Sequence, residues 1–263
     1  MKAFLCQVLL ACGSAFSLLS ATVHTANAAF FFDFDTPFPN SVISAGINSN
    51  GEVVPFLPSI ETLDNNSFLR LSSELAASEG GFATSLFANT AYIFEDVQVS
   101  AVVNLTGDSN DEVAVLARGD LSTLNSYNAA IDFALNRLIL SKTVGGEVTV
   151  LADALNILPA LDQPYLIELE VIGNQLTSRF FDATGDVELF SLSAVDTDNP
   201  LVAGISGLAA DISQLTFPDF SDPNNSTFDN FDSRSISVPE PNHLSSLLAV
   251  ASIAMITTFK QKF

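Results

Sequence analysis

The chain has no tryptophan, two cysteines, two histidines and only 9 basic residues among its 263 residues. Both cysteines (Cys6 and Cys12) and both histidines (His24 and His243) lie near the termini, so the long stretch between His24 and His243 contains neither residue type. A Ser-His-Asp or Cys-His nucleophile therefore cannot be assembled in that stretch, and a zinc site there would lack its usual ligands.

Acidic residues dominate the charge. The whole chain has 30 acidic residues and a formal charge of −21, and residues 29 to 237 hold 29 acidic against 6 basic residues, a net charge of −23. Such a surface repels phosphate and attracts divalent cations, which argues against nucleic acid and anionic lipid as partners. Hydrophobic residues still make up 48% of the chain, which excludes a disordered acidic tail.

The N-terminus predicts export. Lys2 precedes an apolar run from Ala3 to Leu19, and the small-x-small triplet from Ala26 to Ala28 follows a short polar stretch. This layout predicts a secretory signal peptide over residues 1–28, cleaved after Ala28. A lipoprotein signal that uses Cys12 is the alternative, but it would leave too short an apolar run before the thiol. Cleavage after Ala28 leaves a mature chain without cysteine and therefore without a disulfide.

The C-terminus predicts a membrane anchor. A tetrad at residues 238–241 precedes an apolar segment of 16 residues, 244–259, which Lys260 and Lys262 close. As a helix this segment would span about 24 Å, somewhat less than the roughly 30 Å core of a bilayer. We expect it to anchor the chain with the lysines in the cytoplasm and the preceding residues outside. A buried C-terminal helix is the alternative, which the prolines, the lysines and the export signal disfavour.

The tetrad Val238, Pro239, Glu240 and Pro241, with the apolar segment and basic end, resembles the PEP-CTERM sorting signal of Gram-negative bacteria over residues 238–263. The resemblance implies that an exosortase, a membrane transpeptidase-like enzyme, cuts near the tetrad. It also implies a place in the cell envelope or extracellular matrix, after transient anchoring in the inner membrane, and an association with exopolysaccharide. The chain ends in Lys-Gln-Lys-Phe where that family usually has an arginine-rich cluster.

Between the two signals, apolar residues recur with period two. The run from Phe94 to Leu105 alternates apolar and polar positions, and glycine-containing pairs at 145–146 and 173–174 each separate two such runs. Short alternating strands joined by tight turns predict an all-β antiparallel sandwich over residues 29–237. We expect the phenylalanines at 30–34 to begin the first strand and enter the core. Residues 40–65, which are rich in proline and glycine, are predicted to form a long loop with at most one edge strand. The remaining predicted strands are 68–72, 82–87, 112–118, 127–133, 138–143, 147–151, 165–172, 175–181 and 227–236.

This order of strands resembles LamG-like domains of the concanavalin A-like jelly-roll superfamily over residues 90 to 236. The segments that carry the resemblance are a strand ending in Arg118, the strand from Tyr127, the hairpin around residues 145–146 and the turn from Val171 to Asn174. The resemblance implies a jelly-roll fold and a glycan-binding, adhesive or structural module. Some members of the superfamily are glycoside hydrolases, so a hydrolase or lyase is the alternative.

Carboxylates are the only plentiful catalytic groups in this region. The laminarinase-like hydrolases of the superfamily carry Glu-x-Asp-x-x-Glu on one strand, and the segment from Glu168 to Gly173 approaches that pattern. It has Glu170 where aspartate is expected and Gly173 where the acid/base residue should lie. We therefore expect Glu168 and Glu170 to lie on the solvent face of a strand, and we predict that the protein is not an enzyme.

Two binding sites remain as predictions. Arg118 and Tyr127 are candidates for binding glycan near one edge of the sandwich, although an ion pair is the ordinary role of such an arginine. Clustered acidic side chains can supply the oxygen ligands of calcium. Terminal strands of a jelly roll often neighbour each other, so the candidate calcium ligands are Asp33, Asp35, Asp229 and Asp232, with a solvated acidic rim as the alternative. Together these observations predict an exported cell-surface or matrix protein that is associated with exopolysaccharide.

Overall fold

The structure, a computed structural model, describes residues 29–48, 53–55, 58–63, 66–71, 82–104, 111–132, 136–155, 163–212 and 227–236. Both predicted signals, residues 1–28 and 238–263, lie outside the described residues. Within the described ranges, no helix has the length and apolar character needed to cross a membrane.

The described residues form two antiparallel sheets. Their strands are β1 (Ala29–Phe32), β2 (Val42–Asn48), β3 (Val53–Pro55), β4 (Ser59–Leu63), β5 (Asn66–Arg70), β6 (Phe82–Phe94), β7 (Val97–Asn104), β8 (Asp111–Asp120), β9 (Asn125–Asp132), β10 (Arg137–Val144), β11 (Glu147–Leu155), β12 (Pro164–Ile172), β13 (Gln175–Asp182), β14 (Glu188–Val195), β15 (Gly204–Ile212) and β16 (Thr227–Ser235).

Strand order follows from the pairing. Sheet A has the order β14-β13-β12-β7-β16-β5-β4, and β1 also pairs with β16. Sheet B has the order β11-β10-β9-β8-β15-β6-β2-β3. The chain therefore crosses between the sheets several times, and its first and last described strands lie side by side. The predicted all-β antiparallel sandwich is confirmed.

One core fills the space between the sheets. In β7 the residues Val97, Val99, Ala101 and Val103 are all buried, and the residues between them are half exposed, as period-two alternation requires. Aromatic rings close one part of this core. Phe87 is buried and lies within 6.4 Å, centroid to centroid, of four other rings, those of Phe32, Phe34, Phe38 and Phe231. The first phenylalanines thus supply core packing as expected, except Phe31, which is 60% exposed.

Three segments differ from the expectation. The predicted long loop at 40–65 is wrong, because β2, β3 and β4 lie there. Pro55 ends β3 at the edge of sheet B, which is where sheets tolerate proline. Strands β14 and β15 were not predicted, and β15 lies in the middle of sheet B. Its sequence is rich in small residues, which carry little strand propensity.

Candidate functional site

A row of polar side chains crosses the outer face of sheet A. Alternation in β12 buries Leu169 and Val171 completely and turns Glu168 and Glu170 to the opposite face. Glu170 is partly exposed there, but Glu168 is only 9% exposed because its neighbours on the face cover it, so the prediction that both glutamates face solvent is wrong for Glu168. The register pairs Glu168 with Arg179 of β13 on one side. On the other side, Glu170 pairs with Gln98 of β7.

Hydrogen bonds link these side chains across four strands. Arg179 Nη1 lies 2.6 Å from Glu168 Oε1 and 3.5 Å from Glu170 Oε2. Gln98 Nε2 donates to Glu168 Oε2, and Arg234 Nε of β16 donates to Gln98 Oε1 at 2.7 Å. We call this set the polar row, and its members are Gln98, Glu168, Glu170, Arg179, Asp232 and Arg234, the last two lying 3.9 Å apart as an ion pair.

Burial and neighbouring charges shift the pKa values of two members of the polar row, Arg179 and Asp232. Burial alone would lower the pKa of Arg179, but hydrogen bonds and attraction from Glu168 and Glu170 outweigh it and raise the pKa. Burial raises the pKa of Asp232, and Arg234 partly opposes that rise. The polar row therefore presents carboxylate, amide and guanidinium groups that are hydrogen-bonded to one another.

Arg118 lies inside the protein at one end of the sandwich. It is 3% exposed and donates to the carbonyl oxygens of Glu95, Gly173 and Leu201 at 2.5 to 2.6 Å. Its Nη2 also lies 3.2 Å from Asp96 Oδ1. Burial lowers the pKa of Arg118, with Asp96 opposing the shift. The guanidinium thereby joins three turns, β6–β7, β12–β13 and β14–β15, and sits below the surface where a glycan cannot reach it.

Tyr127 is fully buried beside Arg118. Its hydroxyl donates to Asp196 Oδ2 at 2.6 Å and accepts from Leu201 N at 2.8 Å. Lys142 Nζ lies 2.8 Å from the same oxygen of Asp196. Burial raises the pKa of Tyr127, and the hydrogen bond to Asp196 adds to the rise. Burial opposes ionisation of Asp196, but Lys142 and Tyr127 outweigh it and lower the pKa.

The predicted pair Arg118 and Tyr127 therefore does lie together, but as part of a buried polar network. The network holds the β14–β15 connection against both sheets. Arg118 adopts a left-handed backbone conformation with φ of 51°, at a bulge in the β8–β9 ladder between Ala117 and Asp120. Neither side chain offers a surface to a sugar in this structure, because both are enclosed by the loops that they bind.

Three of the four predicted calcium ligands approach one another. Asp33 and Asp35 follow β1, and Asp229 lies on the neighbouring β16. Burial raises the pKa of Asp229, and repulsion from Asp35 and Asp33 adds to the rise, while a hydrogen bond from Asn66 opposes it. Asp232 is separate from this group, because it lies in the polar row with Arg234.

The present contacts of these carboxylates are hydrogen bonds from N–H groups. Asn66 Nδ2 lies 3.0 Å from Asp229 Oδ2, and the backbone N–H of Ser67 donates to Asp35 Oδ1 at 3.0 Å. Among the residues that the structure describes, no group of three or more histidine, cysteine or acidic side chains is arranged to hold a metal ion. Carboxylate and amide oxygens are chemically suited to calcium, but rotation of the Asn66 amide would be needed to add its oxygen.

Sequence reasoning missed Gln98, Arg179 and Arg234. The position of Arg179 could have been found, since a hairpin turn at 173–174 sets Glu168 directly opposite Arg179. The neighbours Gln98 and Arg234 lie 136 residues apart in sequence, and no local pattern brings them together.

Comparison with known proteins defines the class of fold. No protein-family model and no curated protein sequence matches the chain. Solved structures do match. A lichenase, a β-1,3-1,4-glucanase from a mouse hindgut metagenome, has a TM-score of 0.57 at 12% identity over 79% of this chain and 99% of its own. The carbohydrate-binding module CBM66 from Bacillus subtilis has a TM-score of 0.51 at 15% identity over 76% of this chain and 100% of its own.

The exoplasmic domain of VIP36, in a Ca²⁺- and mannose-bound form, is also similar, with a TM-score of 0.52 at 12% identity over 76% of this chain and 92% of its own. At these identities the likeness establishes the fold. The described chain is an antiparallel two-sheet sandwich of the concanavalin A-like jelly-roll class.

Proposed function

We propose that the protein is an exported, non-enzymatic component of the cell surface or extracellular matrix that binds a neutral polysaccharide along the polar row. The observation that carries the proposal is the polar row itself, a hydrogen-bonded strip of carboxylate, amide and guanidinium groups across four strands. Sugar hydroxyls both donate and accept hydrogen bonds, so such a strip matches their chemistry. Structures of the same fold class are described as a carbohydrate-binding module and a mannose-bound domain, which supports the proposal.

The net charge of residues 29 to 237 indicates which kind of glycan binds. Residues 29 to 237 carry a net charge of −23, so an anionic polysaccharide would be repelled unless cations bridged the two. We therefore expect neutral polymers to bind more strongly than uronic-acid polymers of similar length.

Affinity electrophoresis through gels containing the cell's own exopolysaccharide, a neutral β-glucan or a polyuronate tests the proposal. Arg234 is the exposed end of the polar row, and Arg234→Ala removes a charged hydrogen-bond donor. The retardation of the protein by the neutral polymer should weaken about tenfold, since a hydrogen bond to a charged group contributes about 1.5–3 kcal/mol. The control is Arg137→Ala, which removes a less exposed arginine from sheet B. This variant should bind the neutral polymer as strongly as the unaltered protein. No retardation of the unaltered protein by any of the polymers would refute glycan binding.

A carbohydrate-active enzyme, a glycoside hydrolase or lyase, is the second candidate. Glu168 and Glu170 share one face of a strand, and three of the solved structures that the chain resembles are described as glucanases. Because Arg179 ion-pairs with both carboxylates, we expect no sugar release from β-glucans by the purified protein. Release that Glu168→Gln abolishes would overturn the non-enzymatic proposal.

Calcium is proposed as a structural ion at Asp33, Asp35 and Asp229. Its support is that Asp33 and Asp35 lie near enough to the buried Asp229 for their repulsion to add to the rise of its pKa. Bound calcium would raise the thermal unfolding midpoint relative to protein treated with a chelator, because it binds only the folded state. Asp229→Asn should abolish that difference, whereas Asp198→Asn, an exposed acid elsewhere, should leave it unchanged. Equal midpoints of the unaltered protein with calcium and with chelator would dismiss the ion.

Export and sorting are proposed from the two signals. Mass spectrometry of the protein recovered from the cell envelope and the medium should give an N-terminus at Ala29 and a C-terminus near the tetrad at 238–241. Deletion of an exosortase should leave the C-terminal segment attached. Intact protein in the cytosol would refute both expectations.

A further inference from the structure

Strand β1 carries one aromatic side chain on the outside of sheet A. Its neighbours Phe30 and Phe32 turn inward, since Phe32 is buried in the core and Phe30 packs against the core. Side chains alternate between the two faces of a strand, so Phe31 points to the outer face, where it is 60% exposed. Core packing therefore does not account for Phe31.

The strand register places Phe31 at the end of the polar row. Phe31 pairs with Asp232 of β16, and Asp232 pairs with Ser100 of β7. Ser100 pairs in turn with Glu168 of β12, which lies opposite Arg179 of β13. Residues directly opposite each other on neighbouring strands share a face and have Cβ atoms about 4.5–5.5 Å apart. The ring of Phe31 and the polar row therefore form one line across the outer face of sheet A.

Hydroxyl groups continue this line at its other end. Ser191 of β14 lies opposite Arg179, and Ser193 lies opposite Thr177. Both serines are exposed, and the hydroxyl oxygens of Thr177 and Ser193 are 3.3 Å apart. The line crosses six strands from β1 to β14. At about 4.8 Å between neighbouring strands it is roughly 24 Å long, enough to contact several sugars of one chain.

An aromatic ring at the end of a hydrogen-bonding strip matches the two kinds of surface that a pyranose sugar presents. Equatorial hydroxyls around the rim of the sugar donate and accept hydrogen bonds, whereas its axial C–H groups form an apolar face that packs on the electron-rich face of an aromatic ring. In β-linked glucose every ring substituent is equatorial, so both faces of the sugar are apolar. The arginines of the polar row are ion-paired with its acids, so the row presents hydrogen-bonding groups rather than a site for one ion.

We propose that Phe31 is the stacking platform of the polysaccharide site. One sugar of a linear, neutral polymer with the configuration of glucose stacks on the Phe31 ring, and the polymer runs across the strands along the polar row toward β14. This inference rests on the proposed glycan binding and adds to it the class of sugar, the direction of the bound chain and the length of the site.

Substitutions of Phe31 test the platform by affinity electrophoresis through a neutral β-glucan. Phe31→Ala should weaken the binding about fivefold, because a well-placed aromatic contact contributes about that factor. Phe31→Leu keeps an apolar side chain without the ring and should also weaken binding, whereas Phe31→Tyr keeps the ring and should bind as the unaltered protein does. The matched control is Tyr92→Ala, which removes a 38% exposed aromatic side chain from sheet B and should leave binding unchanged. Full binding by Phe31→Leu would overturn the stacking.

Nuclear magnetic resonance of a soluble β-glucan oligosaccharide gives a second readout. Sugar C–H protons that lie over an aromatic ring shift upfield, so the unaltered protein should shift them and Phe31→Ala should abolish the shift. Affinity should rise with the length of the oligosaccharide until it spans the roughly 24 Å from β1 to β14, and then level off. A mannan, whose sugars carry an axial hydroxyl, should bind more weakly, and equal binding of the two polymers would contradict the proposed class of sugar.

The outcomes separate this inference from the proposed function. Binding that Arg234→Ala weakens and Phe31→Ala leaves unchanged refutes the platform and keeps the polar row as the site. No retardation of the unaltered protein refutes both. Light scattering that shows a dimer which Phe31→Ala dissociates, with glycan binding unchanged, would make Phe31 a contact between two copies and refute the platform. Thermal unfolding followed by circular dichroism checks that all variants fold, and Phe31→Ala should keep the midpoint of the unaltered protein because its side chain is mostly exposed.

Discussion

Replacing Tyr127 by phenylalanine removes one hydroxyl from the buried network and leaves the ring in place. The hydroxyl donates to Asp196 at 2.6 Å and accepts from the N–H of Leu201 at 2.8 Å. A hydrogen bond to a charged group contributes about 1.5–3 kcal/mol, and an unsatisfied buried N–H costs about 1–3 kcal/mol. Because Asp196 keeps Lys142, we expect Tyr127→Phe to lower the free energy of unfolding by about 3 kcal/mol.

For a domain of this size a loss of that magnitude lowers the thermal midpoint by roughly 6–12 °C. Urea denaturation and thermal unfolding, both followed by circular dichroism, measure the two quantities. Tyr92→Phe is the matched control, because Tyr92 is 38% exposed and the same atom is removed. If both variants lose the same stability, within about 0.5 kcal/mol, the buried network does not stabilise the fold in the way described.

Tyr127→Phe should also change how stability depends on pH, in both the alkaline and the acidic range. The pKa of Tyr127 is raised on folding, so its contribution is fully present below about pH 10 and is lost as the pH rises toward the folded pKa. Tyr127→Phe should remove that alkaline loss. The pKa of Asp196 is lowered on folding, so its contribution is present above about pH 4 and is lost as the pH falls. Without the Tyr127 hydroxyl the pKa of Asp196 is lowered less, so that acid loss should be smaller and should be complete at a higher pH.

Three further predictions concern packing and charge. Phe87→Ala should lower the unfolding free energy by about 3–5 kcal/mol in urea, because it empties the centre of the aromatic cluster, and a loss below 1 kcal/mol would contradict that packing. Gly204→Ala should cost about 3 kcal/mol or more, since a Cβ would lie 2.3 Å from the backbone carbon of Arg118, and wild-type stability would refute this close approach. In calcium-free buffer the raised pKa of Asp229 means that its contribution is lost as the pH rises above about 4, so Asp229→Asn should flatten the urea stability profile between pH 4 and 7, and an unchanged profile would refute the pKa shift.

The alternation of apolar and polar residues predicts most of the strands, because a strand that is buried on one face has apolar residues at every second position. The alternation in β7 and the turns at 145–146 and 173–174 were readable without a structure. Strand β15 could not be predicted in this way, because the neighbouring strand β6 leaves room only for small residues. A Cβ on Gly207 would lie 2.5 Å from the carbonyl oxygen of Phe87 in β6. Because β6 imposes these small residues, the sequence of β15 itself shows no alternation of apolar and polar residues.

The candidate sites, too, are predicted from the sequence only in part. The position of Glu168 and Glu170 on an outer face followed from alternation, but their joining to Arg234 through Gln98 depends on β16 lying beside β7. The sequence identifies Arg118 as a basic residue at a strand end, yet its burial follows from carbonyl groups of three separate turns that only the closed sandwich brings together.

Composition and periodicity alone determined that the central region is acidic, lacks histidine and cysteine, and folds as paired strands. Tertiary structure alone decided which strands are neighbours, and therefore which polar groups meet on the surface and which are enclosed. The physical reason is that a residue's tendency toward burial is a local property, whereas the choice of pairing partner is made by all the strands together as they compete to cover one core.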